Sequence, residues 1–364
     1  MIRLEIGGTL HHLDEARALY QGAEGRLFRI PGLRGKLVKV YKTEADYPGT
    51  DANSFRLRQM ARKRGLHLRA KLEALPKMPQ SVIVPKGVIL EGENFVRGFV
   101  LREVTDAISM SEFVNPDWRK KQKDLQQFVT KFFLRLHKIF CKVHEKGVVL
   151  GDAKPANILV SKGRPYLIDI ESAGIGGFPA TGFTWEYADP LWVGSPLLHE
   201  AAAAKAAQQQ VDADPYDDDD DEDYDEDLDE DGLYRDEEES HTQRHSSWQD
   251  PNAQPSGVEI GQPTALNDRY SFAVMYFEAR TGISPFSGMY FPKSEKDAVA
   301  EAERPLKGIS CLHENVVLPR NGKALEVLNS TELTYFRRIF QKQLRTIFNL
   351  DLIKHRDREV AKAS

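Results

Sequence analysis

The chain of 364 residues has few cysteines and no long apolar segment. Its two cysteines, Cys141 and Cys311, are too few for a disulfide framework or a cysteine-based zinc site. No run of about 18 apolar residues occurs, so neither a membrane-spanning helix nor a membrane partner is expected. The N-terminal residues are partly acidic and lack the apolar core of a signal peptide. These features predict a cytoplasmic protein.

Acidic residues are concentrated in one stretch of the chain. Residues 212–239 contain 19 Asp or Glu and a single basic residue, Arg235, which gives this stretch a charge of −18. Because the whole chain has a net charge of −5, the rest of it carries +13. The composition predicts a disordered acidic insert at about 205–257. We expect this insert to be a solubilising spacer, or else a tether that folds back on the basic segment 56–71 or competes with acidic substrates.

Outside the insert, apolar periodicity predicts an α+β fold in two parts. Residues 1–104 contain four β-branched or aromatic runs and one long helical segment at 51–75. Residues 105–364 favour helices, with one short β-hairpin between them. The predicted strands lie at 26–30, 36–41, 81–90, 95–104, 157–160 and 166–170, and the later helices at 124–146, 267–280 and 331–348.

The segment 150–160, LGDAKPANILV, carries the strongest functional signal in the sequence. Asp152 is followed five residues later by Asn157, as in the loop where an Asp accepts the proton of a substrate hydroxyl and an Asn binds Mg²⁺. Asp169 lies at the end of the next predicted strand, where a carboxylate can bind the metal that bridges the phosphates. Phosphoryl transfer requires such a set because the charge of the transferred group must be neutralised.

On these motifs the sequence resembles the eukaryotic-like protein kinase superfamily, and the pattern D-x-K-P-x-N-I-L-V is typical of its Ser/Thr-type protein kinases. The resemblance covers nearly the whole chain apart from the insert. It implies a bilobal fold, with a small antiparallel-sheet N-lobe at 1–104 and a mainly helical C-lobe at 105–364. It also implies that Lys154 lies beside the attacking hydroxyl and the γ-phosphate. The pieces LIDIES, KLEALPKMP and PFSG are similar to bacterial kinases encoded beside von Willebrand-type and phosphatase proteins, which implies partners of these two kinds.

The first strands fit the phosphate-binding part of the same resemblance. The segment after Tyr20 resembles a glycine-rich loop over the ATP phosphates, because Gly22 and Gly25 lack side chains that would keep the backbone away from phosphate oxygens. Tyr20 stands where the first glycine of that loop is usually found. Lys39, on the next predicted strand, resembles the lysine that binds the α- and β-phosphates.

Two further features of ATP binding are implied by the resemblance. A helix glutamate normally pairs with the strand lysine, and Glu73 is the expected residue, with Glu44 as a competitor. The strand at 95–104 resembles the last one before the hinge between the lobes. The backbone groups of Arg102, Glu103 and Val104 are therefore expected to bind adenine.

The sequence departs from the family pattern at three places. Leu150-Gly151 replaces the usual His-Arg, so activation-loop phosphorylation is not the expected switch through that arginine. Ile170-Glu171 replaces Phe-Gly, and Glu171 is expected either to add a metal ligand or to stiffen the loop. Asp189-Pro190 replaces Pro-Glu at the end of the activation segment, whereas Asp268 matches the helix residue that anchors the catalytic loop. The main site residues are intact, and we expect an active Ser/Thr protein kinase that uses ATP and Mg²⁺, with Mn²⁺ as an alternative.

Three other functions compete with this prediction. A degenerate ATP-binding pseudokinase or scaffold would retain the nucleotide site without transferring phosphate. The sequences LGD and IDIE also resemble small-molecule phosphotransferases of the antibiotic and choline type. The basic segment 56–71 suggests nucleic-acid binding, but no RNA or DNA motif accompanies it, so nucleic acid is not an expected partner. The expected partner is a protein substrate, whose identity the sequence does not define.

Overall fold

The computed structural model describes residues 2–195, 261–318 and 322–346, apart from residues 7, 23, 51, 93 and 94. The predicted acidic insert at about 205–257 lies outside the described residues. In the described ranges the chain has a mixed α+β fold of small antiparallel sheets and several helices.

The chain begins with a β-hairpin that the sequence analysis did not predict. Strands β1 (Ile2–Ile6) and β2 (Thr9–Leu13) pair in an antiparallel register. Apolar residues of the hairpin cover one side of the following sheet, because they pack with residues from its central strands. This first cluster is formed by Ile2, Leu4, Leu13, Phe28, Ile30, Val38, Val40 and Ile89.

A five-stranded antiparallel sheet follows, in the order β3-β4-β5-β7-β6. The strand predicted at 36–41 matches β5, whereas the one predicted at 81–90 is confined to β6. Residues 81–83 leave this sheet because the Ile83 amide donates to Leu167 and the Leu167 amide donates to Ser81. The five strands are β3 (Tyr20–Gln21), β4 (Gly25–Arg29), β5 (Lys36–Tyr41), β6 (Gly87–Glu91) and β7 (Phe95–Arg102).

One long helix, α1 (Ala52–Glu73), crosses this sheet, as predicted. Its Leu68 is buried against Tyr41, Val96 and Phe99 of the sheet. The contact fixes the carboxyl end of α1 near strands β5 and β7.

The remaining described residues are mainly helical and surround the largest apolar core. Helix α3 contributes its apolar stripe, as its sequence spacing predicts, and helix α5 is buried along most of its length. The helices are α2 (Pro116–Lys121), α3 (Leu125–His144), α4 (Pro190–Val193), α5 (Ala265–Thr281), α6 (Arg304–Lys307) and α7 (Ser330–Phe340). The strands are β8 (Ala107–Ser109), β9 (Ile158–Ser161), β10 (Arg164–Leu167), β11 (Met289–Tyr290) and β12 (Val316–Val317).

The last helix is shorter than the sequence predicts. A helix was expected over 331–348, but α7 ends at Phe340. Gln343 has a φ of 55°, which interrupts helical geometry, and Arg345 binds the carboxylate of Asp189. A long-range ion pair therefore determines the path of this segment.

Within residues 2–195, 261–318 and 322–346, no helix is both long enough and apolar enough to cross a membrane.

Candidate functional site

A carboxylate, an ammonium group and a hydroxyl meet at the start of the segment 150–160. Lys154 Nζ lies 2.6 Å from Asp152 Oδ2. The Thr184 hydroxyl donates to Asp152 Oδ1 at 2.8 Å, and the Lys154 ammonium group lies 2.8 Å from the same hydroxyl oxygen. Asp152 is thus in contact with an alcohol oxygen, which is the geometry that a general base requires.

This loop is held by a buried carboxylate on helix α5. Asp268 is 1% exposed, and its Oδ2 and Oδ1 accept the backbone N–H groups of Leu150 and Gly151 at 2.8 and 2.9 Å. His144 Nε2 lies 2.8 Å from Asp268 Oδ2. Gly151 has a φ of 72°, and a Cβ there would lie 2.6 Å from the side chain of Ala180. The anchoring role expected for Asp268 is therefore present in the hydrogen bonds, and the glycine at 151 is required by the backbone.

Two oxygen-bearing side chains lie beside this loop. The Asn157 amide donates from Nδ2 to the Asp152 carbonyl at 2.9 Å. This bond leaves Asn157 Oδ1 as an acceptor that no donor in the described part of the chain contacts. Asp169 follows β10 and has φ 62° and ψ 33°, a left-handed conformation that Asp tolerates better than most residues. One cavity is lined by four of the predicted site residues, Asp152, Lys154, Asn157 and Asp169.

Lys39, on strand β5, contacts Asp169 from the side of the sheet. Its Nζ lies 2.5 Å from Asp169 Oδ1 and 2.6 Å from Glu171 Oε1. The rings of Tyr41 and Phe99 lie 5.3 and 5.8 Å from the same nitrogen. The lysine therefore joins the five-stranded sheet to the loop that follows β10.

Burial and charge act in opposite directions in this cluster. Burial disfavours the charged form of Lys39, but the carboxylates of Glu171 and Asp169 outweigh it and hold the pKa of Lys39 well above its usual value. Burial also disfavours ionised Asp169, yet the Lys39 ammonium lowers the pKa of Asp169. Burial raises the pKa of Glu171 against the attraction of Lys39, and the Asp169 carboxylate adds to the rise. Both carboxylates compete for one ammonium group.

The expected pair between Glu73 and Lys39 does not form. Glu73 is exposed and accepts a hydrogen bond from Arg69 Nε at 3.1 Å, one helical turn away. The buried residue at this end of α1 is Lys71, whose Nζ donates to the Pro179 carbonyl at 2.9 Å. The prediction is wrong because the rotation of α1 directs Lys71, and not Glu73, toward the loop.

The two glycines expected over the phosphates lie in the hairpin formed by β3 and β4. The Gly22 amide donates to the Gly25 carbonyl at 2.9 Å and closes the turn. Gly25 lies in strand β4, opposite Tyr41, and a Cβ there would lie only 2.6 Å from the Val40 carbonyl oxygen. Close strand packing therefore accounts for the glycine at 25. None of the contacts of the described residues joins either glycine to the carboxylate cluster.

The expected adenine-binding segment lies at the end of strand β7. The Glu103 amide donates to the Gly35 carbonyl at 2.9 Å, and its carboxylate binds Arg29. Peptide groups alternate between the two edges of an extended strand, so those of Arg102 point away from β5. In the described ranges the Val104 amide has no acceptor. Of the three residues, Glu103 is thus engaged within the fold, whereas Arg102 and Val104 keep backbone groups available for a ligand.

The loop between Asp169 and α4 is fixed at both ends. Near its start the Gly174 amide donates to the Val149 carbonyl at 2.7 Å. At its end Asp189 is 1% exposed, and it binds the guanidinium group of Arg345 and the Asn267 amide. Asp189 is therefore a buried anchor for the end of this loop.

Three contributors to this site were either not predicted from the sequence or predicted in another role. Glu171 was expected as a metal ligand or a loop stiffener and not as a partner of Lys39, although its position two residues after Asp169 was a signal. Lys71 and Arg345 were not identified at all. Each acts on a residue more than 100 positions away, at Pro179 and Asp189 respectively, and no local pattern reports such a contact.

The residues present suit a magnesium ion. Mg²⁺ prefers oxygen ligands and is usually bound by one or two carboxylates together with phosphate oxygens. Asn157 Oδ1 and the Asp169 carboxylate are such ligands, on adjacent loops of one cavity. Among the described residues no group of three or more His, Cys, Asp or Glu is arranged to hold a metal by itself. A magnesium site that also uses phosphate oxygens does not need such a group of side chains.

No model of a known protein family matches the chain, and no curated protein matches it.

Proposed function

We propose that the chain is an ATP-dependent Ser/Thr protein kinase of the eukaryotic-like superfamily. The observation that carries this proposal is the contact of Asp152 with an alcohol. The Thr184 hydroxyl donates to Asp152 at 2.8 Å while Lys154 lies at hydrogen-bond distance from both. A Ser or Thr side chain of a substrate has the same chemical group and would be activated in the same way.

The rest of the cluster supports nucleotide binding. Lys39 supplies a positive charge beside Asp169, and its position near two aromatic rings strengthens its interaction with anions. When bound, Mg²⁺ would neutralise phosphate charge between Asn157 and Asp169. The backbone groups of Arg102, at the end of the strand next to that of Lys39, and of Val104, two residues further on, suit the edge of a purine base.

The proposed reaction is a direct transfer. Asp152 orients the substrate hydroxyl and accepts its proton as the oxygen attacks the γ-phosphorus. The bond between the γ-phosphorus and the oxygen bridging to the β-phosphate breaks, and ADP leaves with that oxygen. Lys154 stabilises the charge on the transferred group, and Lys39 holds the remaining phosphates. Catalysis then depends on positioning and charge, which the paired contacts of the site supply.

The separate apolar cores support a bilobal kinase-like arrangement. One core lies between the N-terminal hairpin and the five-stranded sheet, and the largest core is formed mainly by helices. Lys39 belongs to the sheet, whereas Asp152, Asn157 and Asp169 belong to the helical part. The contacts of Lys39 with Asp169 and Glu171 join the two parts, and a nucleotide would bind beside them.

The test is incubation of the full chain with Mg-ATP labelled on the γ-phosphate, with protein and small-alcohol acceptors offered in parallel. We expect label on Ser or Thr of a protein and a loss of about 10²- to 10⁴-fold in Asp152→Asn. Mass mapping of the products, including Ser172, Thr181 and Thr184 of the chain itself, identifies the acceptor. Label on small alcohols alone would favour a small-molecule phosphotransferase. ATP binding without any transfer that depends on Asp152 would favour a pseudokinase.

A further inference from the structure

Glu171 has a position that the proposed chemistry does not use. Its side chain is 5% exposed and lies 2.6 Å from Lys39 Nζ. It is part of a single helical turn, Ile170–Ser172, that directly follows Asp169. A buried carboxylate without a partner is strongly unfavourable, so the contact with Lys39 is the reason this side chain can be accommodated.

Helix α1 supplies a cation where an anion was expected. Lys71 is 4% exposed and donates to the Pro179 carbonyl, whereas Glu73 faces solvent and binds Arg69. The helix therefore carries the positive charge and the loop the negative charge, which is the reverse of the expected arrangement. The anion that binds Lys39 is on the loop after β10, and the helix binds that loop through a lysine.

We propose that Glu171 is the residue that positions Lys39 for ATP, in the place of a glutamate from helix α1. This inference rests on the proposed kinase function. Glu171 is a positioning residue, since it acts on the nucleotide through Lys39. Asp169 is expected to turn toward the metal when Mg-ATP binds, and Glu171 is then the carboxylate left to hold the ammonium group.

The arrangement has a consequence for regulation. The contacts of Lys39 involve no carboxylate from α1, because both of its partners, Glu171 and Asp169, lie on the short loop after β10. An outward shift of α1 would break the contact between Lys71 and Pro179 but would leave the pair of Lys39 and Glu171 intact. Control of the enzyme through this helix would therefore act on the loop and not on the lysine.

The first test measures the pair without nucleotide. The full chain is acetylated under limiting reagent, and the rate at Lys39 is compared with that at the exposed Lys86 by mass spectrometry. Glu171→Gln should increase the relative labelling of Lys39 by about tenfold, the effect of losing one charge-assisted hydrogen bond. Glu73→Gln is the matched control and should leave the ratio unchanged. Equal labelling in wild type and Glu171→Gln, or a larger increase in Glu73→Gln, would overturn the proposal.

The second test is a double-mutant cycle on Mg-ATP turnover. Glu171→Gln should raise KM for ATP or lower kcat by about tenfold in the wild-type background. It should have no further effect in Lys39→Met, since a residue that acts through Lys39 is silent without it. Glu171→Asp should restore part of the loss. An equal loss in both backgrounds would mean that Glu171 acts independently of Lys39, and the proposal would be wrong. If the wild type transfers no phosphate, the kinase function fails, while the labelling result still decides the pair.

Discussion

Around Asp152 most polar contacts come from residues of the same short loop, whereas around Lys39 they come from side chains far away in the sequence. Asp268 fixes the amides of Leu150 and Gly151, and this loop already contains Asp152 and Lys154. Lys39 and Asp169 are 130 positions apart, and only a tertiary contact joins them. The first cluster is a local structure that Asp268 and Thr184 contact from other segments, and the second exists only when the sheet and the helical part are packed together.

This difference implies two kinds of sensitivity. Loss of the anchor at Asp268 should damage folding, because buried backbone groups would lose their acceptor. Changes around Lys39 should damage the proposed nucleotide binding more than folding, because Lys39 is the side chain expected to contact the phosphates.

The largest effect is expected from Asp268→Ala. The variant leaves two backbone N–H groups and His144 without their acceptor, and we expect a loss of about 3 to 5 kcal/mol in the free energy of unfolding. Urea denaturation measures the loss. Asp117→Ala, at a side chain that is 82% exposed, is the control and should change stability little. Similar urea midpoints for Asp268→Ala and Asp117→Ala would show that the hydrogen bonds of Asp268 contribute little to stability.

The second effect concerns Glu278, which binds the segment that carries Thr184. The Tyr187 hydroxyl donates to Glu278 Oε2 at 3.0 Å, and burial raises the pKa of Glu278 to about 7. An unfolded glutamate ionises near pH 4.3, so the folded state holds this proton over a higher pH range. Its contribution to stability is therefore full at low pH and falls as the pH rises toward 7.

As the pH rises from 4.5 to 7, the free energy of unfolding of the wild type should fall by about 3 kcal/mol more than that of Glu278→Gln. Thermal or urea unfolding at several pH values gives the difference between the two curves. Parallel curves would contradict the raised pKa.

The third effect concerns the strand that carries Lys39. A Cβ at Gly98 would lie 2.3 Å from the Lys39 carbonyl oxygen, whereas one at Gly87, on the neighbouring strand, would meet nothing closer than 3.9 Å. Gly98→Ala should therefore destabilise the chain by about 1 to 3 kcal/mol and weaken ATP binding, because strands β5 and β7 must separate. Gly87→Ala should leave both properties nearly unchanged. Unfolding and nucleotide titration of the pair provide the test, and equal behaviour would argue against tight packing behind Lys39.

The smallest effect is expected from Thr184→Val. The variant removes the hydroxyl that contacts Asp152 and Lys154, and transfer should slow by about tenfold while folding is preserved. Thr184→Ser should retain the activity. Thr181→Val is a suitable control, since the Thr181 hydroxyl makes only a long contact of 3.4 Å with the Ser172 carbonyl. An unchanged rate in Thr184→Val would remove this hydroxyl from the account.

The same comparison explains which features the sequence predicts. Local periodicity predicts the hairpin of β9 and β10, helix α3 and strand β5, and a motif predicts the anchoring by Asp268. Three other features do not follow from local patterns: the path of residues 81–83, the end of α7 and the partner of Lys39. Each depends on a contact with a distant part of the chain, and such contacts override local propensity.

The most direct measurement for the central claim is a crystal structure of the full chain with Mg²⁺ and a non-hydrolysable ATP analogue. The account predicts phosphates in contact with Lys39, a metal ion bound by Asn157 and Asp169, and the purine at the backbone edge of Arg102 and Val104. A nucleotide bound elsewhere, or no nucleotide at saturating concentration with Lys39 still paired to Asp169 and Glu171, would contradict it.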